Sequence, residues 1–323
     1  MTTVTFEPMN DAVPPVAAAV STPARPLVGR ASILLIAYMA LMQGFGLLAD
    51  HAAPIIGIPA AVAQPVAQII GFAGAVLILA ATSLPLICTK TFWLGESAPT
   101  SRKRMTPRRA LMLIAAMLLI QGIANSIAML LQTALGSVGV QLKSASMEGI
   151  NGMASESWLM VVAVVLVGPL VEEIVCRGLV MRSLAGRGRM FALTTSAVLF
   201  GLMHGDVLQG LFAVMLGLLL GYVAMEYSLM WAVALHCVTN AFAMFMTQVV
   251  AKQSTEVAAV IGLVLIVVYI ASAVLLFRRR AAIREYIAAN RSLRGSYVGW
   301  TSVWFLLMAV YFVVAASAGF SLM

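Results

Sequence analysis

Apolar runs of about 18 residues or more, the length that crosses a hydrocarbon core of ~30 Å, recur along most of this chain of 323 residues. In lipid, every backbone N–H and C=O has to be satisfied within its own segment, so such runs are restricted to helices. Hydrophobic residues make up 62% of the chain and charged residues 10%, against about 25% charged in a soluble domain. Lipid must therefore act as the solvent for much of the surface. The fold class that follows is all-α, a polytopic membrane protein.

Periodicity and run length predict about nine transmembrane helices. They cover Ala31–Leu48, Ala61–Ile87, Ala110–Leu135, Trp158–Met181, Met190–His204, Val207–Met225, Leu229–Val250, Val257–Phe277 and Trp300–Leu322. Residues 1–28, rich in Pro, Ala, Thr and Val, read as a disordered tail, without the charged-then-apolar layout of a cleavable signal peptide. Residues 29–323 then form one polytopic membrane domain. Gly205 and Asp206 leave room only for a tight hairpin between the fifth and sixth helices, with Asp206 as the turn former.

Cations set the orientation. Arg25 and Arg30 precede the first helix, and Lys90, Arg102, Lys103, Arg104, Arg108 and Arg109 lie between the second and third. Arg182, Arg187 and Arg189 follow the fourth, and Arg278–Arg280, Arg284, Arg291 and Arg294 follow the eighth. An N-terminus in the cytoplasm places all of these on one side, with Lys143 and Lys252 opposite, as the positive-inside rule requires. The expected location is a cell membrane, crossed several times. The net charge of +8 is thus a topology signal that also attracts anionic headgroups. No nucleic-acid module is present in the pattern, because the basic runs lack interleaved aromatics.

Against this apolar background a few polar residues stand out. Glu172, Glu173 and Arg177 lie in one run, His204 ends the next, and His236 and Asn240 lie in a third. An ionisable side chain near the bilayer centre costs roughly 2.5–3.5 kcal/mol on insertion scales, so such groups face a shared interior and act there. Glu173 and Arg177 are four apart and predict an ion pair on one helix face, which is compatible with a purely structural role. Glu172 is turned by about 100° from Glu173 and is free for another task. His236 and Asn240, and Phe200 and His204, share faces in the same way.

Counting from the cationic ends at ~1.5 Å per residue places Glu172, His204, His236 and Asn240 at comparable depth, where a water-filled cavity opening toward the cytoplasm would be needed. The set suits water activation. Glu172 accepts the proton, His204 helps hold the water, and His236 with Asn240 donates hydrogen bonds to the oxyanion formed at a peptide carbonyl. Cys88, Cys176 and Cys237 imply no disulfide framework, and a thiol nucleophile would need a base and an access path.

In order, EExxxR (Glu172 to Arg177), FxxxH (Phe200 to His204) and HxxxN (His236 to Asn240) resemble the three motifs of the CAAX protease and bacteriocin-processing (CPBP, Abi) family of intramembrane endopeptidases. The resemblance covers about a quarter of the chain, with a family core over residues 158–250. It implies a glutamate-activated water held by Glu172 and His204, an oxyanion hole of His236 and Asn240, and support from Glu173 and Arg177. It also implies a conical helical core open to the cytoplasm and a membrane-associated peptide or protein substrate within the lipid bilayer. No cofactor is expected. Zinc held by Glu172, His204 and His236 is the alternative, although no HExxH occurs. Two other functions remain open from the residues: a non-proteolytic scaffold or regulator of the same fold, and a proton-coupled transporter, for which no internal repeat is found.

Overall fold

The computed structural model describes residues 23–81, 87–95 and 103–323. Its helices are α1 (Ala24–Ala52), α2 (Ala60–Ala81), a short α3 (Lys90–Leu94), α4 (Pro107–Gly136), α5 (Ala145–Glu156), α6 (Trp158–Arg187) and α7 (Arg189–Leu202). There follow α8 (Val207–Glu226), α9 (Leu229–Gln248), α10 (Thr255–Arg278), α11 (Arg280–Ala289) and α12 (Val303–Ser317). A 3₁₀ stretch covers Ser296–Thr301. Two three-residue strands, β1 (Val140–Leu142) and β2 (Phe320–Leu322), pair antiparallel with Val140 opposite Leu322. They are a small exception to an otherwise helical chain.

Among the described residues, six helices are long and apolar enough to cross a membrane, among them the continuous Trp158–Arg187, and three more apolar helices are shorter. Of the nine expected spans, six are thus matched by helices of that length among the described residues, and the other three by shorter apolar helices. The second expected run ends in part outside the described residues, and so does the tail up to residue 22. The rest of that tail is corrected. From Ala24 the chain is helical, and Val28 is wholly buried. Its side chain packs against Gly299 of the 3₁₀ stretch, while Arg25 Nε donates to Thr301 Oγ1 at 2.7 Å.

The core is one layer of apolar side chains shared by α1, α6, α7 and α8, including Leu35, Val175, Phe191, Leu199, Leu216 and Leu220. Helices α7 and α8 approach closely because Gly201 has no side chain: a Cβ there would come within 2.8 Å of the Gly210 carbonyl oxygen. Gly205 takes a positive φ of 59° in the turn between them. Asp206 then caps α8, accepting from the Gln209 N–H at 2.9 Å.

Helix α6 is not uniformly wound. It is π-helical over Ala163–Val167 and again over Ile174–Met181, with a short α segment, Gly168–Glu173, between them. Pro169 gives a physical reason for the first stretch. A proline inside a helix removes one N–H and clashes with the turn before it, and widening that turn relieves the clash.

Hydrogen bonds define the two ends of the bundle. At one, the Lys103 N–H donates to the Glu226 carbonyl, Met190 to Asn290, Leu293 to Arg187, and Arg182 Nη2 to Phe92. At the other, Ser144 Oγ donates to Asp206 Oδ2 at 2.6 Å, Gln248 Nε2 donates to the Asn151 carbonyl at 2.8 Å, and the Met323 N–H donates to the Gly139 carbonyl.

Candidate active site

Glu173 and Arg177 are wholly or almost wholly buried, and so is His236 at 3% exposure. Arg177 Nη1 donates to Glu173 Oε1 at 2.6 Å, and its Nη2 donates to the Gly217 carbonyl at 3.3 Å. The guanidinium carbon lies 4.3 Å from the Phe200 ring centre. The expected ion pair is thus present and is clamped by α7 and α8. Glu173 Oε1 also accepts from His236 Nδ1 at 3.1 Å. That bond ties α9 to α6 and leaves His236 Nε2 facing Glu172, 3.7 Å from its Oε2.

His204 sits just past the end of α7, and its Nδ1 lies 2.7 Å from the Phe200 carbonyl oxygen. A carbonyl only accepts, so Nδ1 carries the proton and, in a neutral ring, Nε2 keeps its lone pair. Phe200 meets the rings of His204 and His236 edge to face at 4.9 and 5.8 Å, which spaces the two imidazoles. Asn240 Nδ2 donates to the Val164 carbonyl at 2.9 Å. In a π-wound turn that carbonyl would take the N–H of residue 169, which is proline and has none. One Nδ2 hydrogen of Asn240 is thereby held, and the second is left for a ligand.

Glu172, His204, His236, Asn240 and Phe200 line one cavity of about 390 Å³. Glu173 and Arg177 stand behind it. The two carboxylates are thus separated by environment: Glu173 is sealed among partners, and the Glu172 side chain keeps 16% of its surface open. The lining also carries neutral amides, Gln121 and Asn125 of α4 and Asn151 of α5, together with Ser144. Sequence reasoning missed this part of the lining, although Gln121 and Asn125, four apart in an apolar run, signal it; Gln121 Nε2 donates to Asn125 Oδ1 at 3.0 Å. It also missed α5, which lies in what reads as a loop.

The walls of the cavity come from the C-terminal half of α4, the N-terminal halves of α6 and α8, the middle and C-terminal half of α9, the end of α7, α5, and Gln68 and Phe72 of α2. Ser144, Asn151, Leu208 and Gln209 of this lining belong to the end of the bundle held by Ser144, Asp206 and Gln248, while Lys103, Arg182, Arg187 and Arg189 belong to the other. Most of the lining residues thus lie on the halves of these helices remote from the cationic loops, with Glu172 and His236 nearer their middles.

Among the described residues, no group of three or more His, Cys, Asp and Glu side chains is placed to hold a metal ion. The residues proposed for zinc do not fit it, and no step is derived through a metal. Cys176 is fully buried and Cys237 half-buried. Neither thiol is part of the cavity wall, which removes the access that a nucleophile needs.

Fold and site together define a helical protein with membrane-spanning helices and a carboxylate and imidazole cluster enclosed between them. Residues 154–242 match the family model described as type II CAAX prenyl endopeptidase, Rce1-like. That family consists of CAAX protease-type membrane endopeptidases, and the matched stretch contains all six polar site residues. No curated protein and no solved structure gives a match.

Proposed function

We propose that this protein is an intramembrane endopeptidase of the glutamate type, in which Glu172 activates water against a peptide bond of a membrane-associated substrate. The observation that carries the reading is the sharing of one cavity by Glu172, His204, His236 and Asn240, backed by the buried Glu173 and Arg177 pair. Water held between Glu172 and His204 Nε2 gives its proton to the Glu172 carboxylate as its oxygen adds to the carbonyl carbon. The oxyanion that forms accepts from the second Nδ2 hydrogen of Asn240 and from His236 Nε2. Since Glu173 already holds the Nδ1 proton of His236, this donation requires a ring carrying both protons. When the C–N bond breaks, Glu172 returns its proton to the leaving amine, and the products are a free carboxylate and a free amine. No cofactor takes part. The protein resides in a cell membrane with its N-terminus in the cytoplasm, on the strength of the cation distribution.

Comparison of membrane peptides from cells carrying the wild-type chain, Glu172→Gln or His204→Ala tests the reading. Peptides lost in both variants at unchanged protein level support proteolysis. Identical peptide sets alongside an unchanged cellular phenotype would assign the chain to a scaffold role instead.

A further inference from the structure

We infer that the active-site cavity opens toward the extracytoplasmic face, and that the site takes an uncharged, apolar polypeptide segment presented from that side. The substrate half of this inference rests on the endopeptidase reading; the orientation half does not. Two independent observations meet here. Among the described residues, the lysines and arginines of the bundle ends gather at the end built from residues 23–30, 87–95, 103–109, 182–190 and 278–301, and only Lys143 and Lys252 lie at the other. A bias of this kind holds the cationic end in the cytoplasm. Most of the cavity lining comes from the opposite halves of the same helices and from α5, which is tied to the far end of α9 through Asn151.

The lining selects the ligand by chemistry. Its ionisable groups are Glu172, His204 and His236, which the reaction uses; the remainder is apolar apart from neutral amides and Ser144. With no spare charge to pair, the cavity rejects charged side chains, because a buried unpaired charge is costly. Gln121, Asn125 and Asn151, which line the same cavity as Asn240, are donors and acceptors suited to an extended peptide backbone. Such a segment is found next to the outer boundary of a membrane anchor. A lipid-modified C-terminus of a cytoplasmic protein would approach from the cationic end, away from the helix halves that supply most of the lining.

The test uses the full chain with Cys88, Cys176 and Cys237 replaced by alanine and one exposed cysteine restored, at Gln253→Cys near the cavity end or Glu285→Cys near the cationic end. A membrane-impermeant maleimide should label Gln253→Cys in intact cells, and Glu285→Cys only after permeabilisation; the reverse pattern overturns the inference and leaves proteolysis standing. Should the cysteine-free chain fail to accumulate, a C-terminal epitope on the otherwise unaltered protein reports the same end, since β2 pairs with β1 there. That epitope should be digested by protease added to intact cells, and protection overturns the inference. A membrane-anchored reporter then carries an apolar segment on either face. Glu172-dependent cleavage on the outer face alone supports the substrate assignment, and cleavage on the cytoplasmic face alone overturns it. With the labelling as expected, absence of any Glu172-dependent cleavage contradicts the endopeptidase reading rather than the orientation.

Discussion

Asn240 donates through Nδ2 to the carbonyl oxygen of Val164, 2.9 Å away, and that carbonyl is available because helix α6 is π-wound there and Pro169 brings no N–H to it. A helix defect in one span thus orients a polar side chain of another. π-bulges are frequent at functional sites for this reason, since they release a backbone group that a regular helix would consume.

Replacing Asn240 by alanine removes one of the two proposed oxyanion donors and should lower kcat by about 10²–10³ with little change in KM. Pro169→Ala is the subtler variant. It supplies an N–H that competes for Val164, so kcat should fall while the thermal midpoint in detergent holds or rises. Steady-state kinetics and an unfolding scan on the same preparations check both.

Arg177 is predicted to be structural first. Arg177→Met leaves the Glu173 carboxylate buried with only His236 beside it, and breaking a buried pair in this way costs about 3–5 kcal/mol. Arg177→Lys should recover little, because a single ammonium does not reproduce the Gly217 contact and the stacking on Phe200. Yield and thermal midpoint in detergent are the measurements, and Glu173→Gln, which stays hydrogen-bonded, should lose less.

At the cationic end, Glu226 gathers Lys103 at 2.8 Å, Arg189, and the hydroxyl of Tyr286 at 3.0 Å. Burial pulls the Lys103 pKa down, but the Glu226 hydrogen bond and charge outweigh it and leave the value raised above its usual 10.5. Burial, and then the same carboxylate, raise Tyr286 above its usual 10.0. Both groups bind their protons more tightly folded than unfolded. The stability they add is complete below the unfolded values and drains away as pH rises through the folded ones. The thermal midpoint should therefore drop above about pH 10, and Lys103→Met with Tyr286→Phe should flatten that drop.

The six polar residues of the site were legible because lipid makes a buried charge expensive, so Glu172, His204 and their partners stand out in apolar runs. Helix identity was legible for the same reason. Helix ends were less so: the start of α1 at Ala24 depends on packing against Gly299, nearly the whole chain away. The winding of α6 was hidden because π and α turns share one hydrophobic pattern, and only Pro169 hints at the difference. Glu226 reads as an interface residue at a helix end, and its partners come from three other segments that no local spacing connects.

The most direct test of the account is the cleavage rate of a quenched-fluorescent apolar peptide by the purified protein in liposomes, with wild-type compared with Glu172→Gln. The substitution keeps the size and polarity of the side chain and removes its capacity to take a proton from water. Loss of activity by about 10²–10⁴, with the thermal midpoint unchanged, is expected of a general base. Cleavage by Glu172→Gln at the wild-type rate would contradict the central claim.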